Sequence, residues 1–401
     1  MKRTFKKFIK LFFNPIKFFK DSWLFKSNFL DDGKKIKNLF VISHLGQLAQ
    51  VESLIKKEGL LNCALVILYT KKNKKMPELT KKNTNKSLFK CIYLLEIPTY
   101  PNRIEIKKLV RMNNSYQKMI DKIKPNKLFV FSFEKHYGLL LSYAEKKNIS
   151  INLIEEGTAT YKYDNVDEAN RKIYSTLSRK EKFKAMWIKL LPMLKELRPT
   201  LSIYNRFHTV YCMESKVLEK VFIAKKYTHF FLYEDIKPDS ITLDIQNKYQ
   251  ISNQDIIFLN QRYPFPADIY AMNLINILKT QKPVNGKVFL KLHPKDTDEF
   301  KLALKNEISQ QRFSEHFILI EESDFLVEKL IHLSMPKQTM ALTSTGLVYS
   351  YKISEETESV SIYPKLRKKM LESVPYSEAI FKEADEHFNI LQKFPGISFL
   401  E

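Results

Sequence analysis

Residues 127–154 read KLFVFSFEKHYGLLLSYAEKKNISINLI, and this stretch sets the fold class. Two short runs, 127–132 and 150–154, are apolar almost throughout, and an amphipathic segment at 137–147 lies between them. A strand that is apolar on both faces must be covered on both faces. Two such strands joined by a helix make a βαβ unit of a parallel sheet.

The same alternation extends in both directions. Upstream lie NLFVIS (38–43), CALVILY (63–69) and CIYLLEI (91–97), with helical stretches such as GQLAQVESLIKK (46–57) between them. Downstream, a lysine-rich helical region over residues 166–200 interrupts the rhythm. A second series then follows: TVYCM (209–213), HFFLY (229–233), DIIFLN (255–260), KVFLKL (287–292), FILIEE (317–322), MALTS (340–344) and SVSIY (359–363). The expectation is an α/β protein with two doubly wound, Rossmann-like halves. The first domain is expected over 31–200 and the second over 201–385, with a basic segment at 1–30 and a tail at 386–401.

The composition fits two cores. The chain has 401 residues, of which 44% are hydrophobic and 13% aromatic, enough apolar surface to exclude wholesale disorder. Lys and Arg number 67 against 44 Asp and Glu, a net charge of +23. A field that positive favours an anionic partner: nucleic acid, an acidic membrane surface or a polyanionic substrate. Cys63, Cys91 and Cys212 are far apart and form no CxxC pair, which argues against zinc and a disulfide framework. At the N-terminus, Phe5, Phe8, Ile9, Phe12, Ile16 and Phe19 recur at helical spacing among lysines. That pattern suits a helix lying on an anionic membrane surface, and the uncharged stretch is too short to span one. Packing on its own domain is the plainer alternative.

In doubly wound sheets ligands bind beyond the carboxyl ends of the strands, so the residues just after each strand matter most. After INLI come Glu155, Glu156 and Gly157. Adjacent carboxylates raise each other's proton affinity, so either acid suits a general base, or both decorate a helix start. FLKLHPK places His293 and Pro294 at a strand end, where the ring can donate to a phosphate or sit as a structural histidine. MALTSTGL opens a helix with Ser344, Thr345 and Gly346, a capping sequence whose backbone N–H groups also suit an anion. SHLGQLAQ repeats this after the first strand, with Gly46 and Gln47, and Asn260 ends another strand. Lys71, Lys72 and Arg262 follow strands and are candidates for contacts with an anionic acceptor or donor. Neither GxGxxG nor a P-loop occurs. Asp296-Thr297-Asp298 could hold a metal under a sugar nucleotide but reads better as a helix cap, so no metal is expected.

Taken together, EEG (155–157), HP (293–294) and ST (344–345) resemble the (D/E)(D/E)G, HP and S(S/T) signatures of bacterial sialyltransferases. The basic charge, the length and the form EEG are most similar to the capsular polysialyltransferases of Pasteurellaceae type, over residues 37 to about 380. The resemblance implies a GT-B fold and an inverting, metal-independent transfer from CMP-sialic acid, a co-substrate, to an oligo- or polysialic acid acceptor. Carried over by position, Glu155 is the general base with Glu156 as its alternative. His293 neutralises or protonates the departing phosphate, Ser344 and Thr345 bind it, and Pro294 shapes the nucleotide pocket. Gly46, Gln47 and Asn260 join the donor side. The N-terminal basic segment leads to the expectation of peripheral attachment at the inner face of the bacterial inner membrane, with the capsule export machinery as a partner. Competing expectations are a lipooligosaccharide monosialyltransferase or other GT-B transferase, a nucleic-acid binder, for which no helix-turn-helix, zinc or RRM signature is present, and a non-catalytic scaffold.

Overall fold

The computed structural model describes residues 35–71, 75–99, 104–234, 236–281, 283, 285–293, 296–311, 314–322, 325–373 and 378–401. The basic segment at 1–30, Lys72 and Pro294 lie outside them. The chain divides into two compact units. The first holds residues up to Glu156 together with Tyr163–Leu232; the second holds Gly157–Lys162 and Tyr233–Glu401.

The first unit is a seven-stranded parallel sheet. Its elements in chain order are β1 (Asn38–Ile42), α1 (Leu45–Lys57), β2 (Cys63–Tyr69), α2 (Lys75–Asn83), β3 (Phe89–Glu96), α3 (Ile106–Ile123), β4 (Lys127–Val130), α4 (Tyr137–Lys146) and β5 (Ser150–Ile154). They continue with α5 (Val166–Ser175), α6 (Arg179–Leu190), a 3-10 stretch (Pro192–Leu201), β6 (Arg206–Cys212), α7 (Ser215–Leu218) and β7 (Ile223–His229). The strand order is β3-β2-β1-β4-β5-β6-β7. Every residue of β1 is buried, as a strand sandwiched between helix layers requires. Phe40 of β1 and Phe129 of β4 are register partners, and their rings stack 4.4 Å apart at the centre of the core.

The second unit repeats the plan with six parallel strands. Its elements are α8 (Ser240–Tyr249), β8 (Ile256–Leu259), α9 (Ala267–Gln281), β9 (Val288–Lys291), α10 (Asp298–Ser309), β10 (Phe317–Ile320), α11 (Val327–Ser334), β11 (Gln338–Ala341), α12 (Thr345–Ile353), β12 (Glu358–Ser361), α13 (Tyr363–Ser373), α14 (Glu378–Leu391) and β13 (Ile397–Phe399). The order is β10-β9-β8-β11-β12-β13. Leu274, Ile277 and Leu278 of α9 are fully buried, and Tyr270 stacks on Phe300 of α10 at 5.1 Å. Both sheets have the doubly wound order, in which the chain leaves a central strand, β1 or β8, and later returns to its other side. Two Rossmann-like units in tandem are the GT-B plan.

The division differs from the sequence expectation at 200/201. Residues 166–201 are a long crossover between β5 and β6, and β6 pairs with β5 in the first sheet. The first sheet ends at β7, residues 223–229, so only His229 of HFFLY belongs to a strand. An edge strand meets solvent, so β7 carries Lys225 and Lys226 and lacks the apolar run that identified the others. Phe230 and Phe231 of HFFLY are buried in the segment that follows, where Phe230 packs on the first core. The presumed tail also changes: β13 pairs in parallel with β12 and completes the second sheet.

Candidate functional site

In a parallel sheet all carboxyl ends lie along one edge, and a crevice opens where neighbouring connections depart to opposite faces. In the first unit that point lies between β1 and β4. Beyond β1, Ser43 and His44 lead into α1, and Gln47 sits one turn in, 2% exposed. Gln47 Oε1 accepts the Ser43 N–H at 2.7 Å, much as a capping box closes a helix start. That bond fixes the side-chain amide, whose Nε2 then donates to Glu156 Oε1 at 2.5 Å. His44 Nε2 lies 2.6 Å from the same oxygen. A carboxylate can only accept, so the ring donates through Nε2. The Glu156 side chain is 34% exposed and that of His44 48%. Gly46 makes room for this arrangement, because a Cβ there would lie 3.3 Å from His44 Nδ1.

Glu155 faces the opposite way. It is 5% exposed, and its Oε2 accepts the Met213 N–H at 2.7 Å while its own N–H donates to Tyr211 O. It therefore ties the end of β5 to the end of β6. Burial, followed by the charges of Glu155, Glu214 and Glu219, pushes the Cys212 thiol up to about 12, so this cysteine stays protonated. Adjacent residues at a strand end point to opposite sides. Here the second acid is the one presented to the crevice.

Tyr137, the first residue of α4, stands on the other side of the switch point. Burial and then the negative charge of Glu156 hold its phenol far above its ordinary value, against a smaller opposing effect of a Ser43 hydrogen bond. It remains a neutral donor beside Glu156. Lys71 is exposed just past β2, one strand from His44.

The second unit gathers its candidates on the corresponding edge of three adjacent strands, β9-β8-β11. Asn260, beyond β8, is 7% exposed; its Nδ2 donates to Asp296 Oδ2 at 2.7 Å and its Oδ1 accepts from the Tyr270 hydroxyl at 2.6 Å. Both functions of the amide are thus engaged within the protein. Asp296 Oδ2 also accepts the His293 N–H at 2.8 Å, and Asp296 N–H returns a bond to His293 O. His293, half-buried after β9, therefore sits on a turn pinned to β8 through one carboxylate. Asp298 is fully exposed, and Thr297 caps α10 by accepting from Phe300 N–H. The Asp-Thr-Asp stretch is thus a turn anchor, a cap and a surface acid. Among the described residues no cluster of three His, Cys, Asp or Glu could hold a metal ion.

At β11 the Gln261 side chain accepts the Thr343 N–H at 2.6 Å and locks β8 to the approach of α12. Ser344 is the N-cap of α12 and accepts from Gly346 N–H at 3.1 Å. Gly346 lets the helix start close on β8, since a Cβ there would stand 2.6 Å from Leu259 Cδ1. Thr345 Oγ1 lies 2.8 Å from Thr158 Oγ1, so the segment after EEG is fastened to the start of α12 within this unit. The first N–H groups of α12 form a positive helix end at the unit's switch point, with exposed Arg262 just past β8.

Both clusters lie at the switch points of their sheets, and the family model for alpha-2,8-polysialyltransferase matches residues 38–363. The chain belongs to the alpha-2,8-polysialyltransferase family. No curated protein matches the chain by sequence. Among solved structures, it is similar to UDP-GlcNAc 2-epimerase from Neisseria meningitidis, at 12% identity over 89% of this chain and 99% of that one, with a TM-score of 0.46. It is also similar to MurG of Acinetobacter baumannii (9% identity, 91% and 86% coverage, TM-score 0.48) and to Medicago truncatula UGT71G1 (11%, 91% and 91%, TM-score 0.49).

Within this polysialyltransferase, the structure places Gly46, Gln47 and Glu156 together in the first unit, and Asn260, His293, Ser344 and Thr345 on one sheet edge in the second. Glu155 is separated from Glu156 by the backbone. Sequence reasoning gives no role to His44 or Tyr137. They follow β1 and β4, the strands flanking the switch point, and that position was their available signal. The Asp296-Thr297-Asp298 stretch reads in sequence as a possible metal pair or, better, a helix cap, and neither reading shows Asp296 anchoring the His293 turn to Asn260.

Proposed function

We propose that the protein is an inverting polysialyltransferase that moves sialic acid from CMP-sialic acid onto the non-reducing end of an oligo- or polysialic acid. The observation that carries this reading is the carboxylate of Glu156, held by Gln47 and His44 yet one-third exposed at the switch point of the first unit. Family membership supplies the reaction class. Glu156 takes the proton from the acceptor hydroxyl as that oxygen forms the new bond to the sialyl anomeric carbon. The bond from that carbon to the phosphate oxygen breaks on the opposite face, and CMP leaves with the electron pair. Charge grows on the departing phosphate, and fixed donors aimed at it are the effective stabilisers. His293, the N–H groups that open α12, and Arg262 serve that role in this reading, which needs no metal. Glu155 keeps the β5–β6 edge in place, and Gln47 and Asn260 position neighbours while leaving the direct donor contacts to other groups.

The net charge of +23 suits an acceptor bearing one carboxylate per sugar, with Lys71 among the cations that meet it. The protein works in this reading at the inner face of the bacterial inner membrane, beside the export machinery. Among the described residues no helix is long and apolar enough to cross a membrane. The test is incubation with CMP-sialic acid and a labelled oligosialic primer, with and without EDTA. A ladder of extended products that survives EDTA is expected. A product one sugar longer and no more points to a monosialyltransferase, and activity lost with EDTA removes the metal-free mechanism.

A further inference from the structure

Helix α6, in the crossover of the first unit, is amphipathic with its apolar ridge turned outward. Phe183, Met186, Trp187 and Leu190 recur at i, i+3, i+4 and i+7 and are all exposed, Leu190 to 67% and Phe183 to 53%. The Phe183 and Trp187 rings lie 5.1 Å apart. Leu191 and Met193, also exposed, carry the ridge past the helix end. The other side of the helix holds it to the unit through buried Ala185 and Ile188, while Glu181 caps through Ser178 and accepts the Ile104 N–H. The ridge is therefore not a core face left over by misassembly, because the same helix already has a buried stripe.

The flanks of the ridge are cationic. At 100° per residue Lys180 and Lys184 fall on one side, and Lys182 and Lys189 on the other. Lys182 and Lys189 stand over the Tyr174 ring at 5.3 and 5.4 Å and help line a pocket of about 1040 Å³, to which Arg171 and Arg198 also contribute and which includes one acid, Asp167. The helix's one acid, Glu181, is buried, so the exposed arc of α6 presents only apolar and cationic groups. An apolar aromatic ridge between two rows of lysines matches a bilayer surface, with rings among the acyl chains and ammonium groups level with phosphates. A second copy would bring the same cations face to face, and the chain's own basic N-terminal segment would add to the repulsion.

We propose that α6 with Leu191 and Met193 is a membrane-docking surface for anionic lipid, independent of the N-terminal segment and of the reading of the catalytic clusters. The test uses the full chain with Trp23→Phe, which leaves Trp187 as the one tryptophan. Vesicles of phosphatidylcholine with phosphatidylglycerol are compared with phosphatidylcholine alone. The expected result is a blue shift of Trp187 emission and quenching by acyl-chain bromine in the anionic vesicles only. Trp187→Ser with Leu190→Ser, in a chain of unchanged melting temperature, should weaken vesicle partitioning at least about tenfold. Lys182→Gln and Lys189→Gln should weaken it about fivefold each at low salt. Three results would overturn the proposal: vesicle binding with Trp187 unquenched, no vesicle binding, or a lipid-free dimer that dissociates in the Trp187/Leu190 double variant.

Discussion

Exchanging each acid of the EEG motif separately is the sharpest test of the site. Glu156→Gln keeps the side-chain shape, and the amide oxygen can still accept from Gln47 Nε2 and His44 Nε2, so the fold should be nearly indifferent. What is lost is a group able to take a proton, and a positioned general base contributes roughly 10²- to 10⁴-fold. Turnover should fall by that amount with the melting temperature within a degree or so. Glu155→Ala has the opposite profile. It strands the buried Met213 N–H that Glu155 Oε2 now accepts at 2.7 Å, and an unsatisfied buried donor costs about 1–3 kcal/mol. For a unit of this size that is a melting-temperature loss of about 2–4 °C per kcal/mol. Its turnover, measured at a temperature where the variant is folded, should stay within about tenfold of the parent. The assay is CMP release from CMP-sialic acid with an oligosialic acceptor, paired with a thermal melt. An inert, fully folded Glu155→Gln alongside an active Glu156→Gln would refute the assignment and return the role to the first acid.

Three further outcomes follow from the geometry. Asp296→Ala removes the acceptor shared by His293 N–H and Asn260 Nδ2, so both turnover and stability should drop, the latter by about 1–3 kcal/mol in denaturant titration; Asp298→Ala, at a fully exposed site, should change neither. Gly346→Ala brings a Cβ to within 2.6 Å of Leu259 Cδ1, so the buried Leu259 side chain must shift and stability should fall by up to about 1–3 kcal/mol; in a double-mutant cycle with Leu259→Ala, which has its own cavity cost, the two losses should be less than additive. His136 is buried against the Tyr116 hydroxyl, and burial, then Lys135, lowers its proton affinity to about 3 from the ordinary 6.5. The folded state keeps this ring neutral while the unfolded state binds a proton below 6.5. Its contribution is therefore intact above pH 6.5 and is lost as pH falls towards 3, by about 2 kcal/mol at pH 5. Urea melts at pH 7 and pH 5 should show a smaller difference in His136→Gln; an unchanged difference would remove His136 from the account.

The sequence by itself determined the elements whose signals are local. NLFVI, CALVILY and SINLI are apolar almost throughout because strands covered on both faces bury nearly every side chain, and they are strands at the expected places. The doubly wound class followed from their alternation with helices, and Ser344 follows from ordinary capping chemistry. Tertiary structure decided what depends on partners far along the chain. The edge strand β7 carries lysines because half of it meets water, so no apolar run announced it. The assignment of β6 to the first sheet rests on pairing with β5 across a crossover of some fifty residues. The choice between Glu155 and Glu156 was closed to sequence for the same reason. Alternation guarantees that neighbours at a strand end face opposite ways, but which one meets the crevice is set by Met213 on one side and His44 on the other, the latter 112 positions from its partner.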